Sequence, residues 1–183
     1  EVLSLDPPVP WPPGRYYADG SGGPQSKDAL LRRAAGGGCR LGSLFDGDGC
    51  FAPVASHKLA TSVPGLQTIN RAELISLISI LEQIGPVKNK WTDLVSDSAY
   101  CCDMYNRRGF NSAIKGPNAD LWQRFFDQVQ RHGYRVRLHK VASHLSIEHV
   151  TFGAIGFNDL VGNAIADAIA GQAASGFALS KDI

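Results

Sequence analysis

Apolar positions in the middle of the chain recur with the period of an α-helix. The four positions that share one face are Leu74, Leu77, Ile78 and Leu81. Their i, i+3, i+4, i+7 spacing predicts an amphipathic helix from about Asn70 to Ile84. This helix is expected to end before Gly85-Pro86, because proline cannot continue it.

Other segments carry the apolar patterns of strands. Residues 15–18 have strand character and stop at a turn-forming cluster that begins with Asp19. Residues 33–44 and 50–59 flank residues 45–49, whose Asp-Gly pairs favour a β-hairpin turn. The remaining predicted elements are a buried strand at 94–96, helices at 98–107, 119–131 and 158–174, and a strand at 134–141. This order predicts an α/β fold with helices on the faces of a mixed sheet.

Three segments lie outside these patterns, at residues 1–14, 145–157 and 176–183. Residues 1–14 are rich in proline, which fixes φ and lacks a backbone donor, so we expect an extended lead-in or linker. Residues 145–157 have no helical or strand period and predict a mobile loop. One globular domain is therefore expected over residues 15–175, followed by a C-terminal tail at 176–183.

Composition is that of an ordinary globular domain, with 44% hydrophobic and 19% charged residues. The formal net charge of +1 excludes a strongly basic coat, so affinity for nucleic acid would depend on local patches and bound metal. Because no apolar run approaches the roughly 18 residues that span a bilayer, we expect a soluble protein with no membrane partner. The four cysteines are interpreted as reduced thiols, with a Cys39–Cys50 disulfide as the alternative.

Two acidic residues of the N-terminal half have both a structural and a chemical interpretation. Asp19 lies where the first strand meets a glycine-rich turn, as a turn aspartate that bonds its own backbone would. Glu73 follows Asn70 by three residues, and Asn-x-x-Glu before an apolar run is typical of a helix capping box. Each residue taken alone favours the structural interpretation.

Two further aspartates change this picture. Asp97 follows a strand and precedes a helix, a position that suits an N-cap and also an active site at the carboxyl end of a strand. Asp167 falls at the margin of an apolar helix face, one turn after Asn163. Considered together, the four residues give weight to the chemical interpretation: two Mg²⁺ ions about 3.5–4 Å apart need several hard oxygen ligands, and carboxylates from strand ends and flanking helices can supply them. Without metal, such groups would repel one another and some would hold protons.

Six segments occur in the order in which one known family carries them. They are Tyr17–Ser21, Thr68–Leu74, Ser96–Tyr100, Asp120–Arg124, Val141–His144 and Gly162–Asp167. On these segments, which cover most of residues 15–175, the chain resembles the type 1 ribonuclease H family. The resemblance implies a ribonuclease H-like fold, in which a five-stranded mixed sheet has the order 3-2-1-4-5, strands 1 to 3 are antiparallel and helices cover both faces.

The same resemblance implies an endonuclease that cuts the RNA strand of an RNA–DNA hybrid. Its metal ligands would be Asp19, Glu73, Asp97 and Asp167, and its cofactor two Mg²⁺ ions, with Mn²⁺ as a substitute. Asp19 would contact both ions, of which one activates water and the other stabilises the departing 3′-oxygen, leaving 5′-phosphate and 3′-hydroxyl ends. His144 would be a catalytic residue that moves a proton without binding metal, and a packed or surface histidine is the alternative.

The resemblance also implies nucleic-acid contacts. These residues are Gly20, Ser21, Asn70, Ser98 and Asn163. Asn70 and Glu73 are the candidates for detecting the 2′-hydroxyl, which distinguishes RNA from DNA. Ser98, at a helix start, would offer its hydroxyl to a phosphate or else simply cap the helix. Arg71 is interpreted as a residue that supports the fold.

The sequence departs from the family pattern in three places. Residues 107–117 are too short to contain the extra basic helix of longer family members. Ala99 stands where many members have a polar side chain. The interval from His144 to Asp167 is longer than in compact members. Basic residues recur at 32–33, at 107–108 with Lys115, and at Arg135, Arg137 and Lys140. Each group is interpreted as ordinary solvated surface, with contact to a duplex as the alternative. Substrate affinity is therefore expected to depend on a covalently tethered polymerase or hybrid-binding domain.

Two other classes of function stay open on the sequence. One is another nuclease or strand-transfer enzyme of the same superfold, against which the helix motif of Asn70 and Glu73 argues. The other is a non-catalytic ribonuclease H-like scaffold or nucleic-acid-binding domain, against which the four acids and His144 argue. The chain begins at Glu1 and its single methionine is Met104, which favours a tethered or excised domain. A free enzyme of the nucleus or cytoplasm and a domain of a retroelement reverse transcriptase are both candidates.

Overall fold

The strands join in one mixed sheet. The computed structural model describes residues 9–45, 51–151, 153 and 155–177. Its strands are β1 Arg15–Ser21, β2 Ala35–Phe45, β3 Phe51–Ser62, β4 Thr92–Ser96 and β5 Val136–Lys140. They are ordered β3-β2-β1-β4-β5, with β1 and β3 antiparallel to β2, and β4 parallel to β1 and β5. The predicted sheet is confirmed, and the turn predicted between β2 and β3 lies outside the described residues.

Helices cover both faces of this sheet, as predicted. They are α1 Ile69–Gln83, α2 Ala99–Asp103, α3 Phe110–Ala113, α4 Ala119–Arg131, α5 Ile147–Thr151 and α6 Phe157–Phe177, with a π-helical segment Met104–Arg108 before α3. Side chains alternate along β1, so Tyr16 and Ala18 join the core with α1 and α4, whereas Tyr17 packs against α6. Within the described residues, none of these helices is both long and apolar enough to cross a membrane.

Helix α6 approaches the sheet through small residues. Its buried positions are Gly162, Ala166, Ala170 and Ala174. They recur every four residues and therefore share one face of the helix. A methyl group on Gly162 would overlap the ring of Tyr17, and one on Gly37 of β2 would lie 2.6 Å from the backbone nitrogen of Ala170. The backbone of α6 thus rests directly on β1 and β2, which determines its height and rotation above the sheet.

The start of α1 corrects one sequence prediction. Helix α1 begins at Ile69, and the hydroxyl of Thr68 accepts a hydrogen bond from the Arg71 backbone N–H at 3.2 Å. Thr68 has the extended backbone of an N-cap residue. The interpretation of Asn70 and Glu73 as a capping box is therefore wrong, because Asn70 already lies in the first turn. The Glu73 carboxylate is not engaged at the helix terminus.

The helix predicted at 98–107 is two segments. Ser98 caps α2 by accepting a hydrogen bond from the Cys101 N–H at 3.1 Å, so the N-cap interpretation of Asp97 is wrong. After α2 the chain continues as the π-helical segment, which closes where the Gly109 N–H donates to the Met104 carbonyl at 2.7 Å. Gly109 has a φ of 80°, a conformation that glycine adopts without steric cost.

The long interval after His144 contains a short helix. Helix α5 lies within residues 145–157, and the His149 ring accepts a hydrogen bond from the Ser146 backbone N–H at 3.0 Å. The prediction of a loop without secondary structure is therefore wrong at α5. Five residues are too few to show a helical period in the sequence.

Part of the proline-rich lead-in packs against the domain. The Trp11 N–H donates to the Gln83 carbonyl, and the Gly85 N–H donates to the Trp11 carbonyl, both at 2.9 Å. The Trp11 ring stacks on Tyr16, with ring centroids 5.7 Å apart. The described part of the lead-in is thus attached to the end of α1.

Buried free thiols are present at the three described cysteines, Cys39, Cys101 and Cys102. This agrees with the interpretation of reduced thiols and not with the alternative disulfide at Cys39. Cys50 lies outside the described residues.

Two glycines of α6 test the close contact between this helix and the sheet. Gly162→Ala should destabilise the domain by about 1–3 kcal/mol, because the added methyl group overlaps the Tyr17 ring. Gly171→Ala is the matched control, since no atom lies within 4 Å of its added methyl group, and it should stabilise the helix by about 0.5–1 kcal/mol. Urea unfolding of both variants measures the difference. Equal effects of the two substitutions would contradict the packing described here.

Candidate metal centre

Three carboxylates from different elements converge at one edge of the sheet. Asp19 of β1, Glu73 of α1 and Asp97, which follows β4, each place an oxygen within 4.8 Å of the others. Tyr17 pairs with Val95 in the parallel register of β1 and β4, so the residues two positions further along, Asp19 and Asp97, lie at the same edge. The strand register therefore brings these two aspartates together.

A glycine allows Glu73 to reach this edge. A Cβ on Gly20 would lie 2.5 Å from the backbone nitrogen of Glu73 and 2.9 Å from the Cβ of Ala72. No real side chain tolerates such distances, so only glycine lets β1 and the first turns of α1 approach this closely. The close approach places the Glu73 carboxylate beside Asp19. Gly20 is thus a packing requirement of the cluster, whatever its contacts with nucleic acid.

Asp167 enters the cluster from α6. It follows the buried Ala166 and is itself exposed, so it lies on the solvent side of the group. Its carboxyl group shares a hydrogen bond with Asp19 and interacts electrostatically with Asp97 and Glu73. All four predicted ligands are therefore brought together, three in a tight group and Asp167 at its outer side.

Burial and mutual repulsion perturb these carboxyl groups. Burial, followed by the charge of Asp97, raises the pKa of Asp19 to about 8, although the Gly20 N–H donates to its Oδ1 at 2.8 Å. Burial, followed by the charges of Asp19 and Asp97, raises the pKa of Glu73 to about 10. Burial also raises the pKa of Asp97 above its ordinary value. The fully ionised cluster is therefore unfavourable without a compensating charge.

Asn163 orients one member of the cluster. Its amide hydrogen-bonds Asp97, and this contact partly offsets the rise in the pKa of that aspartate. The Asn163 Oδ1 is buried and has no hydrogen-bond partner among the described residues. The side chain thus positions Asp97 with one end and presents an acceptor with the other.

The donor set fits a hard divalent cation. Glu73 Oε2 is buried and has no hydrogen-bond partner among the described residues, and such an oxygen is costly unless a cation or donor compensates it. The other members of the group, Asp19 and Asp97, likewise offer carboxylate oxygens, which Mg²⁺ and Mn²⁺ prefer. A cation at this edge would relieve the repulsion and satisfy the orphaned oxygen.

His144 lies beside the cluster. It is exposed, has a φ of 56°, and lines a small pocket with Asp97, Asn163 and Asp167. Its charge lowers the pKa of Asp97, but it forms no salt bridge with any carboxylate of the described part of the chain. The histidine is therefore near the carboxylates without being one of their direct partners.

The other residues predicted to contact nucleic acid differ in exposure and in their hydrogen bonds. Asn70 is exposed on the first turn of α1, near Glu73 in sequence. The Ser21 hydroxyl accepts a hydrogen bond from the Gly23 N–H at 3.1 Å. Ser98 is buried, and its hydroxyl is occupied as the cap of α2, the structural alternative for this residue.

Sequence reasoning missed the residue that anchors α6. Asp159 accepts hydrogen bonds from the Arg15 guanidinium at 2.8 and 2.9 Å and from the Tyr17 hydroxyl at 2.8 Å. These contacts attach the start of α6 to β1 and thereby position Asn163 and Asp167 further along the helix. The partners are 144 and 142 residues apart, so no local pattern signals the contact.

Arg71 supports the fold, as interpreted from the sequence. Its guanidinium is buried and donates to both carboxylate oxygens of Asp120 at 2.8 Å, and to the Pro64 carbonyl at 2.8 and 3.0 Å. These bonds join the start of α1 to the start of α4.

The fold and the acidic edge define a class of α/β proteins with a cluster of carboxylates at one edge of a mixed sheet. The chain belongs to the RNase H family, whose model matches residues 16–175. The Ribonuclease H of Nitrobacter hamburgensis is 37% identical over 86 residues, which are 42% of this chain and 54% of that protein. The chain thus matches about half the length of this relative.

Solved structures share the fold. LC9-RNase H1, described as a type 1 RNase H with the type 2 active-site motif, has a TM-score of 0.62 at 24% identity, covering 93% of this chain and 75% of that chain. The native protease-reverse transcriptase of Prototype Foamy Virus has a TM-score of 0.60 at 15% identity, covering 91% of this chain and 21% of that chain.

The raised pKa of Glu73 predicts how pH affects the metal-free protein. The folded protein holds the Glu73 proton up to a pKa of about 10, whereas the unfolded chain releases it near 4.5, so folding binds a proton between these values. This contribution to stability is complete below the unfolded pKa and is lost as pH rises through the folded pKa. From pH 5 to 9 in EDTA, the free energy of unfolding of wild type should therefore fall relative to that of Glu73→Gln, by up to about 1.4 kcal/mol per pH unit. If the free energies of unfolding of wild type and Glu73→Gln changed in parallel over this pH range, the raised pKa of Glu73 would be contradicted.

The exposed Glu148 of α5 supplies the matched control. Glu148→Gln removes the same charge away from the cluster, and its pH dependence should run parallel to that of wild type.

Proposed function

We propose that the chain is a ribonuclease H that hydrolyses the RNA strand of RNA–DNA hybrids in a divalent-cation-dependent reaction. The proposed ligands are Asp19, Glu73, Asp97 and Asp167. The observation that carries this proposal is the convergence of three carboxylates within 4.8 Å, two of them buried, in a chain of the RNase H family. Such a cluster is unfavourable for the apo fold and suits a metal-dependent nuclease.

The protein holds two of the proposed ligands and leaves one carboxylate oxygen of a third without a partner. The Gly20 N–H holds Asp19 Oδ1, Asn163 holds Asp97, and Glu73 Oε2 has no partner among the described residues. When bound, two Mg²⁺ ions would supply a lowered pKa for the attacking water and charge stabilisation for the departing 3′-oxygen, the chemistry that yields 5′-phosphate and 3′-hydroxyl ends. The protein orients the carboxylates beforehand, so little rearrangement opposes binding.

His144 is proposed as the group that transfers a proton. It lines the same pocket as Asp97 and Asp167 and is exposed, so it can exchange protons with solvent. Histidine changes its charge near neutral pH, which suits proton transfer to the leaving oxygen. Because it forms no ion pair with a described carboxylate, its loss should leave cation binding intact.

Recognition of RNA is proposed to depend on the 2′-hydroxyl. Asn70 is exposed three residues before Glu73 on α1, and its amide can both donate to and accept from that hydroxyl. At the same edge, the buried Asn163 Oδ1 is an acceptor without a partner among the described residues. Gly20, Ser21 and Ser98 are the remaining proposed contacts, with Ser98 limited by its role as a cap.

A tethered domain is proposed to supply further affinity for the hybrid. Helix α3 has only four residues, so this region offers no long basic helix to hold a duplex. In the Prototype Foamy Virus protease-reverse transcriptase, the matching region is 21% of a longer chain. A polymerase or hybrid-binding domain is the expected kind of partner.

Cleavage of a labelled RNA–DNA hybrid tests the proposed function. Wild type should cut the RNA strand with Mg²⁺ or Mn²⁺ and lose activity in EDTA, while single-stranded RNA, double-stranded RNA and double-stranded DNA stay intact. Asp19→Asn should abolish activity, whereas His144→Ala should slow it by about 10²–10⁴-fold, because general acid–base groups contribute this much. Gel analysis of the products gives the rates and the ends.

Two results would overturn the assignment. Cleavage that continues after complete chelation of divalent cations would show that the reaction does not need them. If His144→Ala weakened Mg²⁺ binding as much as Asp19→Asn does, the histidine would be a ligand. Glu148→Gln is the matched control and should cut at the wild-type rate.

A further inference from the structure

A second surface lies at the end of the sheet opposite the carboxylates. The segments before β4 and β5 are adjacent there, because the Thr92 N–H donates to the Arg135 carbonyl at 2.9 Å. Strand β4 runs from this end to Asp97. Six residues from Trp91 to Asp97, at about 3.3 Å each, separate the two ends by roughly 20 Å. The surface is therefore distinct from the metal centre.

Basic side chains are concentrated on this surface. They are Lys88, Lys90, Arg131, Arg135 and Arg137. Asp93 is the one acidic residue in segments 85–93 and 131–137, and it already contacts Arg137 at 2.7 Å and His139 at 2.8 Å. The other four cations form no salt bridge with any described residue. A chain with a net charge of only +1 thus carries a local cluster of positive charge, in which Arg131 donates to the carbonyls of Leu81 and Ile84 at 2.9 and 2.8 Å.

Two exposed aromatic rings accompany these charges. Trp91 is 42% exposed and lies beneath the Arg137 guanidinium, 4.6 Å from the ring centroid. Tyr134 precedes Arg135, is 69% exposed and lines a neighbouring hollow with Phe126 and Asp127. Its φ of 60° is in the left-handed region that large side chains rarely adopt. Folding alone would favour glycine or asparagine at such a position. An exposed tyrosine at a strained backbone position points to a role in binding.

A groove joins the two segments. It has a volume of about 370 Å³ and is lined by Lys88, Arg131 and Arg135, with Asn89 and Gly133 contributing to its walls. The groove is open to solvent and is not a closed cavity. This shape suits an extended polyanion.

We propose that this surface binds single-stranded nucleic acid, with the phosphates in the groove and bases against Tyr134 and Trp91. A positively charged groove combined with exposed aromatic rings is how proteins bind single strands without sequence preference. A duplex would supply phosphates but keep its bases stacked inside, so the rings would have no base to contact. An acidic protein segment would use the charges and not the rings. The surface does not share residues with the proposed nuclease centre.

Binding of a labelled oligothymidylate of about 12 nucleotides tests the charges. Fluorescence anisotropy in EDTA prevents cleavage and metal-bridged binding at the carboxylates. Lys88→Gln/Lys90→Gln should weaken binding by about tenfold at low salt and reduce the slope of log K against log salt by about 1.4. Lys27→Gln/Lys58→Gln removes two exposed cations elsewhere and should change neither quantity. Equal effects of the two double variants would overturn the proposal.

Tyr134→Asn tests the ring separately from folding. Asparagine tolerates a positive φ, so the melting temperature should be equal to or above that of wild type. Affinity for the oligonucleotide should fall by about 5- to 100-fold, the range for one stacked base. If Tyr134→Asn binds normally and polyglutamate competes as well as the oligonucleotide does, the partner is an acidic protein and the proposal is wrong.

Cleavage of a blunt-ended hybrid separates this proposal from the proposed function. The surface variants should cut such a hybrid at the wild-type rate, since they leave the carboxylates intact. If wild type failed to cut the hybrid, the proposed nuclease function would be contradicted. The proposed binding of single strands would not be affected, because it does not depend on cleavage.

Discussion

The repulsion among buried carboxylates is the constraint on which the rest of this structure depends. Burial, followed by this repulsion, raises the pKa of Asp19 to about 8 and that of Glu73 to about 10. Each shift means that the ionised cluster opposes folding unless a cation compensates it. Binding of a cation is therefore coupled to both protonation and stability.

Packing away from the cluster holds the carboxylates in place against this repulsion. Gly20 lets β1 approach α1, and Gly162 lets α6 rest on the Tyr17 ring. The contacts of Asp159 with Arg15 and Tyr17 then fix the start of α6. The arrangement of the carboxylates thus depends on two glycines and one ion pair that supply no carboxylate to the cluster. The cationic surface at the other end of the sheet is independent of these constraints.

The sequence pattern predicted the helices and strands better than the contacts that hold the carboxylates in place. The helical period of α1 and the order of the sheet were predictable, the latter through the family resemblance. Thr68 and Asn70 are both good N-caps two residues apart, so the sequence did not distinguish them. Asp159 and Arg15 meet only after α6 packs on β1, and no sequence pattern encodes such a distant pair. The left-handed backbone of Tyr134 was equally invisible, because tyrosine does not favour it.

Proton release on cation binding tests the central claim most directly. The raised pKa values of Asp19 and Glu73 mean that this pair of carboxyl groups holds protons in the metal-free protein at pH 7. Titration calorimetry with Mn²⁺, in buffers of different ionisation enthalpy, should detect the release of about one to two protons per molecule, because carboxylate ligands bind in the ionised form. The double variant Asp19→Asn/Glu73→Gln should release none. Tight Mn²⁺ binding without proton release, or release undiminished in the double variant, would contradict the account.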